Sequence, residues 1–217
     1  MKTPCEVVTK DVLLKAYSIG IFPMAESADD TSVVWIAPQK RGILPLHSFH
    51  APRSLRRRIR NCGFLIRVNQ DFEGTMAGCA DRPSTWISAG LRSLFMTLHT
   101  EGHAHSVEVY DQNHVLVGGL YGLSIGGAFF AESKFSRVSD ASKIALAYLV
   151  ARMRFGGYAL LDVQFLTPHL ARLGAIEVPS AVYRQNLESA LARDADFFLL
   201  SESVQPSEVV HLITQTS

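Results

Sequence analysis

The chain has 217 residues, of which 47% are hydrophobic and 19% are charged, and its formal net charge is +1. This composition excludes a disordered chain and a polybasic protein of the histone type, so any nucleic-acid contact must come from a local patch. No apolar run approaches the ~18 residues of a membrane span, and the charges at Glu6, Lys10 and Asp11 exclude a signal peptide. We therefore expect a soluble cytoplasmic protein without a membrane partner.

Residues 1–50 have the pattern of a small N-terminal domain, which leaves residues 51–217 for a larger one. The helical spacing of apolar residues ends near Pro23, which disfavours helix at the residue before it. Two short apolar runs then flank a turn that contains Pro38 and Gly42. The predicted elements are a helix over residues 10–20, strands over 33–36 and 43–46, and a turn over 38–42.

A basic helix over residues 51–60, with a proline in its first turn, opens the second region. Its arginines can pair with phosphates through two parallel hydrogen bonds each, but such a run is equally typical of a solvated helix face. The residues alone leave both interpretations open. The arginines are Arg53, Arg56, Arg57, Arg58 and Arg60, and a strand over residues 64–68 and helices over 72–80 and 87–100 follow.

Three consecutive alternating segments joined by tight turns predict an antiparallel meander. Ser139 or Asp140 then caps a helix that ends at Gly156, and two further strand–helix pairs follow. This order predicts an α+β fold with one mixed sheet. The strands are predicted over residues 106–110, 115–123, 126–132, 158–164 and 175–178, and the helices over 139–155, 167–174 and 179–191; no element is assigned after Phe198.

Neither the cysteines nor the histidines indicate a metal site. His99, His103 and His105 have the spacing of a zinc cluster, but they fall on a helix end, a turn and a strand start. Their ring nitrogens therefore share no face, and we expect hydrogen bonds to satisfy them. The three cysteines are too far apart for a disulfide framework or a thiolate zinc site; they are Cys5, Cys62 and Cys79.

Two carboxylates lie late in predicted strands with strongly apolar sequences. Glu132 ends the third strand of the meander, and Asp162 and Gln164 lie two residues apart on the next one, so their side chains point to one face. A buried carboxylate is costly unless it is paired or used in chemistry. The sequence thus predicts a site here, with local backbone groups or the cations of Arg137 or Lys143 as the structural alternative.

A series of distinct motifs follows in order between about residue 12 and residue 190. They are AYSIGIFPM at residues 16–24, WIAP at 35–38, TWI at 85–87, GHAHSVEV at 102–109, LVGGLYG at 116–122, ESKFSR at 132–137, DASK at 140–143 and LDVQ at 161–164, then His169 and LGA at 173–175. Together these strings resemble one family, the leucyl/phenylalanyl-tRNA–protein transferases. Single tripeptides are weak signals, but so many in the same order are highly specific.

The resemblance implies a small N-terminal domain and a larger domain of the GNAT acyltransferase type. It also implies transfer of Leu, Phe or sometimes Met from a charged tRNA to proteins that begin with Lys or Arg, which marks them for N-degron degradation. By the same resemblance, Asp162 and Gln164 are the catalytic residues, and Glu132 binds the cationic N-terminal Lys or Arg of the acceptor. Trp35 stacks on the terminal adenosine of the tRNA, and the arginines of the basic helix contact that tRNA. The residues that line the donor pocket are Leu120, Phe129, Lys134 and Leu161.

Two departures from familiar patterns shape the alternatives. Lys134 stands where the family usually has Met, so its ammonium either extends out past Phe135 and Phe129 or brings a charge into the donor pocket. The loop over residues 134–139 contains no glycine, whereas an acetyltransferase presents a glycine-rich nest for the pyrophosphate there. A coenzyme A-dependent N-acetyltransferase, a non-catalytic binder of basic N-termini and, more distantly, a metal hydrolase are the competing hypotheses. We expect a monomer without metal or cofactor.

Overall fold

The computed structural model describes residues 2–61 and 63–215. Ten strands in two sheets and eight α-helices lie within these residues. The strands are β1 (Lys2–Pro4), β2 (Phe22–Met24), β3 (Ser32–Ile36), β4 (Lys40–Ile43), β5 (Leu65–Val68), β6 (Ala104–Tyr110), β7 (Leu116–Ile125), β8 (Ala128–Ser136), β9 (Leu160–Gln164) and β10 (Ile176–Pro179). The helices are α1 (Lys10–Ser18), α2 (Arg53–Asn61), α3 (Phe72–Ala80), α4 (Ala89–Thr100), α5 (Ala141–Phe155), α6 (Pro168–Ala171), α7 (Ser180–Leu191) and α8 (Pro206–Thr214).

A small antiparallel sheet of order β1-β3-β2 forms at the N-terminal end of the chain. Helix α1 begins after Thr9, whose side chain accepts a hydrogen bond from the backbone N–H of Val12. The chain then turns back through Gly20, at φ +82°, into β2. Strand β2 contains Pro23 and lies at the sheet edge, where a residue without an N–H is tolerated.

A large mixed sheet of order β10-β4-β9-β8-β7-β6-β5 supports the rest of the molecule. Only the β8–β9 pair is parallel among these strands. The predicted meander is confirmed as β6, β7 and β8. The predicted strand over residues 43–46 is wrong, because strand β4 occupies Lys40–Ile43, part of the predicted turn, and pairs with β9 and β10. Strand β4 thus belongs to the large sheet although it lies within the first fifty residues.

The main core lies between this sheet and the nearly apolar helix α5. Helix α5 begins very close to β7: a Cβ on Gly118 would lie 2.5 Å from the Cβ of Ala141, so only glycine fits there. Helix α8, for which the sequence predicted no element, packs against α5 with its buried residues Val209, Val210 and Ile213. Helices α3 and α4 cover the opposite face of the sheet.

The parallel pair of strands separates where the predicted site lies. Pairing runs from Ala128 opposite Leu160 to Phe130 opposite Asp162, whereas β8 continues unpaired on this side to Ser136. Glu132 is the extra residue of a bulge in β8, because its neighbours Ala131 and Ser133 pair with consecutive residues of β7. A bulge redirects its side chain, so Glu132 is free to point towards β9.

No helix within residues 2–61 and 63–215 is both long and apolar enough to cross a bilayer. Cys5 and Cys79 are free thiols. Cys62, which was included in the expectation of unpaired cysteines, lies outside the described residues.

Candidate active site

The carboxylate of Asp162 is fully buried and is saturated with hydrogen bonds. Arg41 on β4 donates to both of its oxygens, from Nε at 3.0 Å to each and from Nη2 to Oδ2 at 2.7 Å. Tyr183 on α7 donates its hydroxyl to Oδ2 at 2.6 Å, and the backbone N–H of Gln164 donates to Oδ1 at 2.8 Å. Asp162 is therefore held in a fixed position, and both of its oxygens are already occupied.

Arg41 is held as firmly as the carboxylate it pairs with. Its side chain is 1% exposed, and its guanidinium carbon lies 4.3 Å from the ring centroid of Phe22 and 4.9 Å from that of Tyr183. Its Nη1 also donates to the carbonyl of Gly20 at 3.4 Å. Phe22 and Gly20 belong to the N-terminal segment, so that segment completes the site.

Gln164 ends β9 in an unusual backbone conformation. Its φ is +60°, a left-handed value that costs a non-glycine residue of order 1 kcal/mol or more. The hydrogen bond from its N–H to Asp162 holds this turn. As a result, the side-chain amide of Gln164 reaches β8 and donates to Oε1 of Glu132 at 2.9 Å.

Glu132 is the second buried carboxylate, with only one of its oxygens occupied. Oε1 accepts from Gln164 and from the hydroxyl of Tyr17 on α1, at 2.7 Å from the latter. Oε2 is buried and has no hydrogen-bond partner in the described part of the chain. Burial raises the pKa of the Glu132 carboxyl to about 8, against the hydrogen bond from Tyr17, which lowers it.

The structure thus brings together the three predicted residues Asp162, Gln164 and Glu132. The structural alternative named the wrong cations: Arg137 lies 4.0 Å from Asp81, and Lys143 pairs with Asp140 at 2.6 Å. Sequence reasoning missed the residues that hold the site, which are Arg41, Tyr17 and Tyr183. The AYSIGIFPM motif included Tyr17, but nothing in the local sequence of Arg41 or Tyr183 indicated burial.

The residues predicted for the donor pocket lie on the strands that flank this site. Leu120, Phe129 and Leu161 are buried in the hydrophobic cluster that also contains α5, and their role in a donor pocket stays a prediction. Lys134 is only partly buried, and no carboxylate in residues 2–61 or 63–215 pairs with its ammonium. Burial, together with the nearby charge of Lys143, lowers the pKa of Lys134 to about 8.

The residues predicted to contact tRNA lie in two places. Trp35 is partly buried on β3, and its Nε1 donates to the hydroxyl of Thr3 at 3.0 Å. On α2, Leu55 and Ile59 anchor the helix, and Arg56 is half-buried. None of the five α2 arginines forms an ion pair with a carboxylate that the structure describes; the four exposed ones are Arg53, Arg57, Arg58 and Arg60.

His99 and His105, two of the three clustered histidines, pack against aromatic rings. His99 stacks on Phe72 with ring centroids 4.2 Å apart, and its Nδ1 lies 2.9 Å from the carbonyl oxygen of Ala104. His105 stacks on Phe197, also at 4.2 Å, and contacts the amide of Asn69. Across residues 2–61 and 63–215, no group of three His, Cys, Asp or Glu side chains could hold a metal ion.

Two family models match this chain in sequence. The model of the leucyl/phenylalanyl-tRNA protein transferases matches residues 43–188, and the model of the N-terminal domain of the same family matches residues 8–39. Leucyl/phenylalanyl-tRNA–protein transferases of two bacteria are close relatives. That of Cereibacter sphaeroides is 53% identical over 97% of this chain and 98% of its own. That of Roseobacter denitrificans is 54% identical over 97% and 99%.

Among solved structures, the crystal structure of FemX has a similar fold, with a TM-score of 0.51 at 12% identity over 78% of this chain and 66% of that one. The mixed sheet and the relatives in sequence define an aminoacyltransferase whose donor is an aminoacyl-tRNA. The chain belongs to the leucyl/phenylalanyl-tRNA–protein transferase family.

Proposed function

We propose that this enzyme transfers Leu or Phe from aminoacyl-tRNA to the α-amine of proteins that begin with Lys or Arg, and so marks them for N-degron degradation. The observation that carries the choice of acceptor is Oε2 of Glu132, which is buried and has no hydrogen-bond partner among residues 2–61 and 63–215. A basic N-terminal residue is a cation that such an oxygen can bind. The enzyme acts in the cytoplasm, as a monomer, with residues 1–50 as a small N-terminal domain that contributes β4 to the large sheet and residues 51–217 as a GNAT-type domain.

The reaction is aminolysis of an ester that is already activated, so it requires neither a metal nor a nucleotide. The end of the β8–β9 pairing at Phe130 and Asp162 supports the proposal, because the backbone of β8 beyond this point is not paired with β9 and can contact a donor. Holding donor and acceptor together is worth up to about 7–11 kcal/mol of the barrier. The donated side chain lies against Leu120, Phe129 and Leu161, next to Lys134.

Gln164 contacts the reacting groups in this proposal. Its amide N–H₂ is directed to Glu132, and no donor among the described residues contacts its carbonyl oxygen. That oxygen can accept a hydrogen bond from the acceptor amine and orient it. Asp162 acts by holding the backbone of Gln164 in its left-handed conformation and by its negative charge, since its oxygens are already occupied.

The tRNA is held by its phosphates and by its terminal base. The α2 arginines have no carboxylate partners in the described chain, so they are available for bidentate phosphate contacts. Trp35 is an aromatic platform for the terminal adenosine, at about 1–3 kcal/mol for each stacked base.

The reaction is tested by mixing the purified protein with labelled Phe-tRNA or Leu-tRNA and a peptide that begins with Arg. We expect a peptide extended by one residue, and no product when the peptide begins with Glu or carries an acetylated N-terminus. Acetylation of the same peptide from acetyl-coenzyme A would favour the N-acetyltransferase instead. Peptide binding without any transfer would favour the hypothesis of a non-catalytic binder of basic N-termini.

The tRNA surface is tested with Arg57→Ala combined with Arg60→Ala. We expect the variant to bind all tRNAs more weakly and the salt dependence of log K to flatten by about one for each lost phosphate contact. Arg184→Ala combined with Arg193→Ala removes two exposed arginines from the region of α7 and serves as the matched control. An unchanged salt slope in the α2 variant would identify α2 as an ordinary solvated helix.

A further inference from the structure

The hydroxyl of Tyr121 on β7 is a buried polar group that the reaction described above does not use. Its side chain is 0% exposed, and its oxygen has no hydrogen-bond partner within residues 2–61 and 63–215. Buried hydroxyls are nearly always hydrogen-bonded, because an unpaired one has lost the bonds that it makes with water. The hydroxyl of Tyr121 therefore indicates a partner from outside the described chain.

Tyr121 lies next to the bulge that carries Glu132. It pairs with Ser133 on β8, and the register of the two strands shifts between Tyr121 and Gly122, opposite Glu132. Oε2 of Glu132 likewise has no partner among the residues that the structure describes. A hydroxyl can donate to a carboxylate oxygen, yet these two atoms form no hydrogen bond with each other. Two complementary groups are thus neighbours in register but do not pair.

Tyr121 and Tyr17 belong to the same hydrophobic cluster, on the side of the large sheet that α3 and α4 cover. Tyr17 donates to Oε1 of Glu132 at 2.7 Å. Burial raises the pKa of both hydroxyls well above 10, the charge of Glu132 adds to this in each case, and the thiol of Cys79 does so for Tyr121. Both hydroxyls are therefore uncharged at neutral pH, and both lie within the electrostatic reach of Glu132.

The ring of Tyr121 is held in place by two other aromatic rings. Phe72 on α3 and Phe95 on α4 make edge contacts with it, at centroid distances of 5.7 and 5.5 Å. A side chain that is already fixed loses little conformational entropy when a ligand binds. The hydroxyl is therefore a preorganised contact for a ligand.

Arg82 is a cation of this chain that influences the Tyr121 hydroxyl, but it binds elsewhere. Its Nη2 donates to Oγ of Ser133 and to the carbonyl of Lys134, at 3.2 Å in each case. No cation in the described part of the chain donates to the Tyr121 oxygen or to Oε2 of Glu132. A cation that contacts these two oxygens must therefore come with a substrate.

We infer that the hydroxyl oxygen of Tyr121 and Oε2 of Glu132 together bind the basic side chain of the acceptor's first residue, an inference that rests on the acceptor proposed above. A guanidinium or an ammonium carries several N–H donors, so it can donate to both oxygens at once. The carboxylate supplies the negative charge, and Tyr121 supplies a second, neutral oxygen that fixes the direction of the bound side chain.

The test is the variant Tyr121→Phe, which removes the hydroxyl and keeps the ring. We expect the KM for peptides that begin with Arg or Lys to rise by roughly 10–150-fold, because a hydrogen bond to a charged group is lost. We expect kcat and the KM for Phe-tRNA to stay near their wild-type values, since the lost contact binds the acceptor equally in the ground state and the transition state.

The stability of the variant distinguishes this role from a structural one. Tyr121→Phe removes a buried polar group that has no partner in the described chain, so we expect a urea denaturation midpoint at or above that of the wild type. Tyr158→Phe is the matched control, at a buried tyrosine whose hydroxyl lies 2.8 Å from Oγ of Ser124. For this control we expect a lower midpoint and an unchanged KM for the peptides.

Three outcomes of Tyr121→Phe would overturn the inference while the transfer reaction stands. An unchanged peptide KM would show that the hydroxyl does not contact the acceptor. A higher KM for Phe-tRNA, with the peptide KM unchanged, would assign the hydroxyl to the donor. A lower urea midpoint together with a lower kcat would assign it to the fold. If the wild-type enzyme extends neither the Arg peptide nor the Lys peptide, the proposed function fails and the inference about Tyr121 fails with it.

Discussion

Asp162 and Glu132 are two buried carboxylates on neighbouring strands, joined through Gln164, and they differ in the groups that surround them. Asp162 is 0% exposed and lies against the guanidinium of Arg41, with all its acceptor positions used. Glu132 is 8% exposed and has only neutral donors, all of them on one oxygen. Similar burial thus leaves one carboxylate in a close ion pair and the other with neutral donors alone, because only one of the two has a cation in direct contact.

The largest effect on stability is expected from removing the cation that pairs with Asp162. Arg41→Met leaves Asp162 buried without its counter-ion, and breaking a buried pair in this way costs about 3–5 kcal/mol. We expect a fall of that size in the free energy of unfolding, measured by urea denaturation. Lys40→Met is the control, because the neighbouring Lys40 pairs with Glu177 at the surface and is worth about 0–1 kcal/mol.

A loss of less than about 1 kcal/mol in Arg41→Met would contradict the comparison. It would mean that Tyr183 and the backbone N–H of Gln164 suffice to hold Asp162.

The pH dependence of stability is expected to single out Glu132. Burial raises its pKa from 4.5 to about 8, so the folded protein holds a proton between these values that the unfolded chain releases. The free energy of unfolding should therefore fall as pH rises from about 4.5 to 8, by at most about 1.4 kcal/mol per pH unit. We expect this slope to decrease in Glu132→Gln, measured by urea denaturation at a series of pH values. Identical slopes in the two proteins would refute the assignment.

The tyrosines that donate to the two carboxylates are expected to affect different properties, Tyr183 the stability of the fold and Tyr17 the pH dependence of transfer. Tyr183→Phe removes one donor from Asp162, which keeps Arg41, so we expect a loss of about 1.5–3 kcal/mol of stability and an unchanged pH profile of transfer. Tyr17→Phe is the counterpart at Glu132: it removes a donor that stabilises the charged carboxylate, so we expect the pH profile of transfer to move to higher pH. Equal shifts of the profile in both variants would contradict the expectation that the two tyrosines act on the two carboxylates separately.

The smallest effect is expected at Lys134, a partly buried cation that has no carboxylate partner in the described chain. Lys134→Met makes the proposed donor pocket apolar, and we expect KM for Phe-tRNA to fall about tenfold at pH 7. The gain should shrink at pH 9, because burial lowers the pKa of Lys134 to about 8 and the wild-type amine is then neutral. The exposed Lys15→Met is the control, and an equal gain at both pH values would contradict the argument.

Local patterns predicted most of the large sheet. The meander β6, β7 and β8 and the helix α5 follow from alternation, tight turns and an end at Gly156, all of which are signals between near neighbours. The carboxylates Glu132 and Asp162 could be singled out for the same reason, since each follows an apolar run. What alternation could not reveal is the bulge that turns Glu132 towards β9.

The partners of the site could not be predicted from the residues around them. Arg41 lies in a segment rich in proline, glycine and charge, which is typical of an exposed turn. It is buried because β4 enters the large sheet between β9 and β10, and that pairing is set by distant strands. Helix α8 was missed for a similar reason, because its buried side depends on contact with α5.

Arg41 and Asp162 are 121 residues apart in the chain, and this separation constrains when the site can exist during synthesis. At about 5–20 residues per second, roughly 6–24 s pass between the addition of one partner and that of the other. Throughout that interval the nascent chain carries Arg41 without Asp162, its counter-ion. An aminoacyl-tRNA is also the substrate of the ribosome, so a growing chain of this enzyme cannot compete for it before most of its own sequence has been made.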